Sequence, residues 1–274
     1  MRTDISGTME WLACRNKAVA VDVESVTWTD LRGWHFEPLT GNLVHDSGRF
    51  FSIVGLDVHT NTGTVSHWRQ PIINQPEVGI LGIIRKNFGG EIRYLMQAKI
   101  EPGNVNCVQL SPTVQATRSN YMQVHGGKCP TYLEYFQNVP SSQVVLDQLQ
   151  SEQGGRFLRK RNRNIIIQVE EDIPVKDDFC WLTLSQIKQL MRHDNVVNMD
   201  ARTVLSGLKG EGDVPGKPLL SIDDILHRLS SLKSRYELIT EKIPLKEVSD
   251  WMVSDFEIAR KDKLFLRSWV CGSQ

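Results

Sequence analysis

The chain has no surplus of charge: its 274 residues hold 32 Lys+Arg against 32 Asp+Glu. A protein that grips nucleic acid or an anionic membrane across its surface needs a basic excess, so both partners are disfavoured. No apolar run reaches the roughly 18 residues that a membrane-spanning helix requires. The opening "MRTDISGTMEWLACRNK" lacks the continuous apolar stretch of a secretory signal. Cysteines are scarce. The five present (14, 107, 129, 180 and 271) are odd in number, widely spaced and without a CxxC, the usage expected of reduced thiols in a cytoplasmic protein. The seven histidines form no HExxH and no His/Cys cluster, so the sequence predicts no metal site.

What is present is the composition of a globular chain, with 40% hydrophobic and 23% charged residues. Strand and helix signals alternate. "VAVDVESVTWTDL" (19 to 31) and "GRFFSIVGLDVHT" (48 to 60) have the alternation and β-branched content of strands, after a short helix around Met9 to Arg15. "GILGIIRKNFGGEIRYLMQAKIE" reads as a hairpin turning at "NFGG". "YMQVHGGKCPTYLEYF" starts like a strand, "SSQVVLDQLQSEQ" spaces Val144, Val145, Leu146 and Leu149 like a helix, and "RNIIIQVE" is a strand. Thr183 is placed to cap a helix over "LSQIKQLMRH". These signals predict an α+β domain with a mixed sheet over residues 1–205.

Residues 206–218, with four glycines and two prolines in thirteen positions, read as a linker. Beyond it, residues 219–274 begin with an amphipathic helix capped by Ser221, with Asp224 at its third position and Ile225, Leu229 and Leu232 as its stripe. This part repeats the beginning of the chain. Trp28, Leu31 and Trp34 answer to Leu245, Val248 and Trp251, and "GRFFSI" answers to "KLFLRS".

Three stretches could carry chemistry. Residues 97 to 121, "QAKIEPGNVNCVQLSPTVQATRSNY", contain only three charges, Lys99, Glu101 and Arg118. They are too polar for a core strand and too neutral for a solvated face. In one extended strand, Gln109, Ser111, Thr113 and Gln115 would point one way, a row of neutral donors and acceptors suited to sugar hydroxyls or a base edge. The alternative is a polar loop that satisfies its own backbone. Lys99 and Glu101 would share a face, as a paired acid and base or as a plain salt bridge. In "QSEQGGRFLRKRNRN" (150 to 164), Arg159, Arg161 and Arg163 would share one face and Lys160 the other. Three guanidiniums so placed suit a diphosphate; a charge-blunted edge strand and a basic targeting run are the alternatives. Few aromatics interleave them, which speaks against stacking on bases. His45, in "HDSGRFF", is structural or catalytic, and "WRQPIINQPEVGILG" is a rigid loop that could line a cleft.

These blocks, with "FCWLTLSQIKQL" and "VNMDARTVLS", closely resemble the NDP-hexose 2,3-dehydratase family of deoxysugar biosynthesis over roughly residues 7 to 208. The resemblance implies a Nudix-like unit without the Nudix hydrolase box, and none is found here. It implies tandem copies of the unit, a homodimer, and a TDP-4-keto-6-deoxyhexose as substrate. The chain departs from that pattern in holding one full copy and the opening of a second. A single copy that suffices, assembly of two chains with the C-terminal element exchanged, or loss of activity leaving a nucleotide-sugar-binding accessory protein are the expectations that follow.

The implied reaction is loss of water across C2 and C3, giving a 3,4-diketo-2,6-dideoxy sugar without any cofactor. A separate NAD(P)H-dependent 3-ketoreductase would trap the product. Glu101 or His45 would be the base at C3, and Lys99 would steady the C4 enolate or protonate the departing hydroxyl. Gln97, Gln109, Ser111, Thr113 and Gln115 would contact sugar or thymine, Tyr121 and Tyr132 would donate to sugar oxygens or pack, and Arg118, Arg159, Arg161 and Arg163 would hold the diphosphate. Arg202 would join them or cap the preceding turn.

Overall fold

A computed structural model describes residues 4–117, 129–208 and 221–262. Two sheets organise it. The larger has the strand order β11 (Phe179–Thr183), β6 (Glu91–Ile100), β5 (Gly79–Phe88), β10 (Arg161–Val169) and β9 (Val144–Ser151), with β7 (Val108–Ser111) on β6 and β8 (Val114–Ala116) on β5. β10 runs parallel to β5, and the other pairs are antiparallel. The smaller sheet is built on β3 (Ser52–Thr60), which pairs with β4 (His67–Asn74), with β2 (Leu43–His45) and with β12 (Leu238–Ile243); β1 (Trp34–Phe36) flanks β2. β13 (Trp251–Val253) and β14 (Ile258–Arg260) form a separate hairpin. The mixed-sheet α+β class expected from the sequence is what the chain adopts.

The large sheet is buried on both faces. One face carries Ile83, Tyr94, Met96 and Ile166 against α1 (Ser6–Lys17), α2 (Leu184–Leu190) and α3 (Met199–Leu205). The opposite face carries Ile84, Leu95, Ile165 and Ile167 under the turn that holds Leu133 and Phe136. Burial on both sides explains why "IIIQV" is a continuous apolar run. The β5–β6 hairpin turns at Gly89 and Gly90, both at positive φ, the conformation that glycine adopts without cost. Thr183 caps α2 and exchanges a capping box with Gln186, and Ser221 does the same with Asp224 for α4 (Ile222–Lys233).

Beyond a 3-10 turn at Ser141–Gln143, residues 144–153 are not helical. Val144–Ser151 is the strand β9, paired antiparallel with β10; the β-branched start and the open edge of β10 outweigh the helix-like spacing. Residues 19–27 form no regular element, and only Trp28–Asp30 makes a 3-10 turn. Residues 108–116 are two short strands broken at Pro112, not one. The predicted strand starting at Tyr121 and the linker from residue 209 lie outside the described residues; residues 206–208 close α3 as a turn.

The two stretches that answer to each other in the sequence pack together. The turn Trp28–Asp30 leads into β1–β2, and a turn at Leu245–Glu247 leads into β13–β14. Trp28, Leu31, Trp34, Leu245, Val248 and Trp251 all enter one hydrophobic cluster with Leu43, Ile53 and Ile258. Each turn donates to the hairpin loop of the other copy: Trp28 N to Asp255 O at 2.9 Å and Lys246 N to Thr40 O at 3.1 Å. Gly55 on β3 permits this docking, because a Cβ there would lie 2.8 Å from both Ile243 Cγ1 and Val248 Cγ2. By contrast α4 buries no residue, and Ile222, Ile225, Leu226 and Leu229 are exposed.

Leu245→Ala should therefore lower the unfolding free energy by about 2–5 kcal/mol, whereas Leu229→Ala on α4 should change it by less than about 0.5 kcal/mol. Urea titrations of the two variants read the difference, and equal effects would show that the cluster does not hold the C-terminal segment in place.

Candidate active site

β5 and β6 pair only from Ile84↔Leu95 toward their turn. On the other side of that point they diverge. β8 then pairs with β5 over Ile80–Gly82, and β7 pairs with β6 over Gln97–Ile100. Thr113 sits at the fork: its Oγ1 accepts from Ile84 N at 3.0 Å and donates to Leu95 O at 2.5 Å. A threonine thus satisfies two backbone groups that would otherwise be orphaned by the split. Between the arms lies a cavity of about 170 Å³, lined among others by Gly79 and Leu81 of β5, Lys99 of β6, Gln115 of β8, Lys160 and Asn162 at the start of β10, and Asp200 of α3.

The polar groups here form a connected set. Lys99 Nζ stands 3.1 Å from Glu101 Oε1, and the same oxygen accepts from Gln115 Nε2 at 2.8 Å. Gln115 Oε1 accepts from Asn198 Nδ2 at 3.4 Å, while Asn198 Oδ1 caps α3 by accepting from Ala201 N at 2.8 Å. Across the cavity Asn162 Nδ2 donates to Glu152 Oε1 at 2.6 Å and Lys160 Nζ donates to Glu77 O at 2.5 Å. Burial pulls the Lys160 ammonium below the usual lysine range, opposed by Glu77 and Glu152. Burial, and then the carboxylates of Glu152 and Glu101, push the Asp200 carboxyl up to about 6, against the pull of Lys99. Asp200 therefore holds its proton to higher pH than an ordinary aspartate, while Glu101 Oε1 accepts from both Lys99 and Gln115. One pair along the β10 face from Asn162, Asn164 is fully buried, and neither of its amide atoms has a partner among the described residues.

The candidates from the sequence separate into those the fold brings to this cavity and those it does not. Lys99 and Gln115 line the cavity, and Glu101 is bonded to both. Gln109 is buried, donating to Asn106 Oδ1 at 3.0 Å, and Ser111 and Thr113 are fully enclosed, with Ser111 Oγ donating to Pro112 O. The proposed row of ligand-facing polar groups is thus corrected: the break at Pro112 turns Ser111 and Thr113 into backbone plugs. Gln97 donates to Asp178 Oδ2 at 3.0 Å.

The arginine rake is corrected as well. Arg159 has a left-handed backbone and reaches Thr240, Arg161 is exposed, and Arg163 is held bidentate by Asp147 at 2.9 and 2.6 Å. Strand alternation puts Arg161 and Arg163 on the face opposite Asn162, so it is Lys160, not the arginines, that enters the cavity. Arg202 caps the preceding turn, donating to Val197 O and Met191 O. Tyr132 packs edge-on to Phe179 and donates to Pro174 O. His45 lies in the smaller sheet, among Trp34 and Phe50, and does not line the cavity. Arg118 and Tyr121 lie outside the described residues.

Every cavity residue falls within residues 6–208, the span matched by the profile of the NDP-hexose 2,3-dehydratase family. The chain belongs to that family. A dTDP-4-dehydro-6-deoxy-alpha-D-glucopyranose 2,3-dehydratase of Saccharopolyspora spinosa is 46% identical over 273 residues, covering 92% of this chain and 56% of the relative. Its namesakes of Amycolatopsis orientalis and Streptomyces violaceoruber are 46% and 45% identical, covering 97% and 92% of this chain and 57% and 59% of themselves. This family member therefore spans just over half the length of the curated relatives it matches.

The raised Asp200 carboxyl makes a stability prediction. Its folded-state value lies above the ordinary 3.8, so its contribution is fully present below that pH and is lost as pH rises through about 6. Asp200→Asn should match the parent in melting temperature below pH ~4 and exceed it above pH ~7. A variant that matches the parent below pH ~4 but melts lower above pH ~7 would mean that the fold favours the ionised carboxylate.

Proposed function

We propose that the cavity dehydrates an NDP-4-keto-6-deoxyhexose across C2 and C3, with dTDP as the nucleotide that the relatives' names give. The observation that carries this reading is that Lys99 and Asp200 line one small cavity, with Glu101 bonded to the Lys99 ammonium beside it, in a chain of the dehydratase family. The carboxylate of Glu101 removes the C3 proton, which the C4 ketone acidifies. The C–H electron pair moves into the C3–C4 bond and charge gathers on O4, where the Lys99 ammonium stabilises it. As the ketone reforms, its electrons make the C2–C3 double bond and the C2–O bond breaks. Asp200 gives its proton to the departing hydroxyl, so water leaves. The enol at C3 then tautomerises to the 3,4-diketone; no electrons are gained or lost, and a separate NAD(P)H-dependent reductase would act on that product.

Burial, and then the carboxylates of Glu152 and Glu101, raise the Asp200 carboxyl, which suits it to deliver a proton; Glu101, bonded to Lys99 and Gln115, is placed as the base. A volume of about 170 Å³ is below the ~300–1,000 Å³ of sites that enclose a whole drug-sized ligand. It takes the hexose ring, with Gln75, Gln115 and Asn162 as partners for hydroxyls, and leaves the nucleotide outside. The sheets form a Nudix-like unit working in a cytoplasmic homodimer, and residues 219–274 open a second copy of the unit whose first elements dock on the first.

Proton NMR of the dTDP-4-keto-6-deoxyglucose substrate in D₂O, with reductase and NADPH to trap product, tests the reading. The parent chain should yield a 2-deoxy sugar. Glu101→Gln should lower turnover by ~10²–10⁴-fold with little change in KM. Asp200→Asn should retain exchange at C3 and lose elimination, and Lys99→Met should lose both. Unchanged turnover in Glu101→Gln would reject the base assignment, and no change in any substrate signal with the parent would reject the function.

A further inference from the structure

A polar cluster on the smaller sheet takes no part in that reaction. Asp57 and His59 lie two apart on β3, and His67 on β4 is the cross-strand partner of His59. The two imidazoles stack with centroids 4.1 Å apart and planes within 7°. Both present Nε2 to one oxygen: His59 Nε2 is 3.0 Å and His67 Nε2 2.8 Å from Asp57 Oδ1. The other oxygen is taken, because Arg69 Nε donates to Asp57 Oδ2 at 2.7 Å. That bond, first among its causes, holds the Asp57 carboxyl below the usual carboxylate range.

We propose that Asp57 Oδ1, His59 Nε2 and His67 Nε2 form a site for a divalent cation of the zinc type. In a tetrahedral zinc site with bonds of ~2.0–2.1 Å, neighbouring ligand atoms stand about 3.3 Å apart. All three atoms here lie within 4.8 Å of one another, so small rotations of exposed imidazoles reach that geometry and the backbone need not move. Two imidazole nitrogens and one carboxylate oxygen favour zinc or cobalt over magnesium and calcium, which prefer all-oxygen shells.

Two features prepare the site. Antiparallel pairing fixes the ligands on rigid strands. Arg69 fixes the rotation of the carboxylate, the task that outer-sphere partners perform around bound metals. With three protein ligands the remaining position falls to a non-protein oxygen donor, the arrangement of an open site. His67 and Arg69 also line the adjoining cleft of about 630 Å³, with Trp251 and Arg260 further along it, which gives such a donor a way in.

Chelator-treated full chain titrated with Co²⁺, followed by d–d absorption and then displaced with Zn²⁺, provides the test. One equivalent should bind with imidazole–carboxylate absorption. Loss of an outer-sphere partner alone costs ~10–100-fold in affinity, so His59→Ala and His67→Ala should each weaken binding by at least ~100-fold. His193→Ala, outside the cluster, should titrate like the parent. Where circular dichroism shows an alanine variant to be unfolded, His59→Asn and His67→Asn replace it. No Co²⁺ absorption in the parent, or absorption that survives in both histidine variants, overturns the site and leaves a hydrogen-bonded triad.

Discussion

The fork between β5 and β6 depends on the two hydrogen bonds of Thr113. Where two neighbouring strands part, each loses its ladder partner, and the first unpaired N–H and C=O face each other across a widening gap. One hydroxyl of the right reach serves both, accepting from Ile84 and donating to Leu95. Beyond it the freed edges are taken up by β7 and β8. The parted strands keep their backbone bonds while side chains from both arms face the same cavity. Pro112 fits this position, since it ends β7 and lets the chain step across to the other arm.

The smaller sheet obeys a different constraint. Two short helical turns of the same pattern, one near each end of the described chain, dock on each other through a shared cluster and reciprocal backbone bonds. This explains why "VAVDVESV" reads as a strand and is not one. Its counterpart after the linker, β12, pairs with β3. Residues 19–27 pair with no strand among the described residues, and β propensity without a partner leaves a segment irregular.

Local chemistry was legible from the sequence and pairing was not. The capping residues Thr183 and Ser221 and the glycine turn at 89–90 follow from short-range rules. So does the approach of Lys99 to Glu101, because alternation alone puts them on one side. What the sequence concealed was set by partners far along the chain. The strand β9 owes its form to β10. Lys160 and Asp200 become cavity residues only when β10 and α3 meet over the fork, and in the sequence alone the neighbouring arginines are more conspicuous. His59 and His67 stand eight residues apart, a spacing that means nothing until the β3–β4 register brings them into contact.

Asn164 carries a consequence of its own. A side chain with the shape of leucine but two unanswered polar atoms weakens the fold by about 1–3 kcal/mol, and its neighbours Ile165, Ile166 and Ile167 show that this strand can be wholly apolar. Alternation puts Asn164 on the same face of β10 as Asn162, which lines the cavity, so the polar character of that face continues one pair beyond the cavity lining.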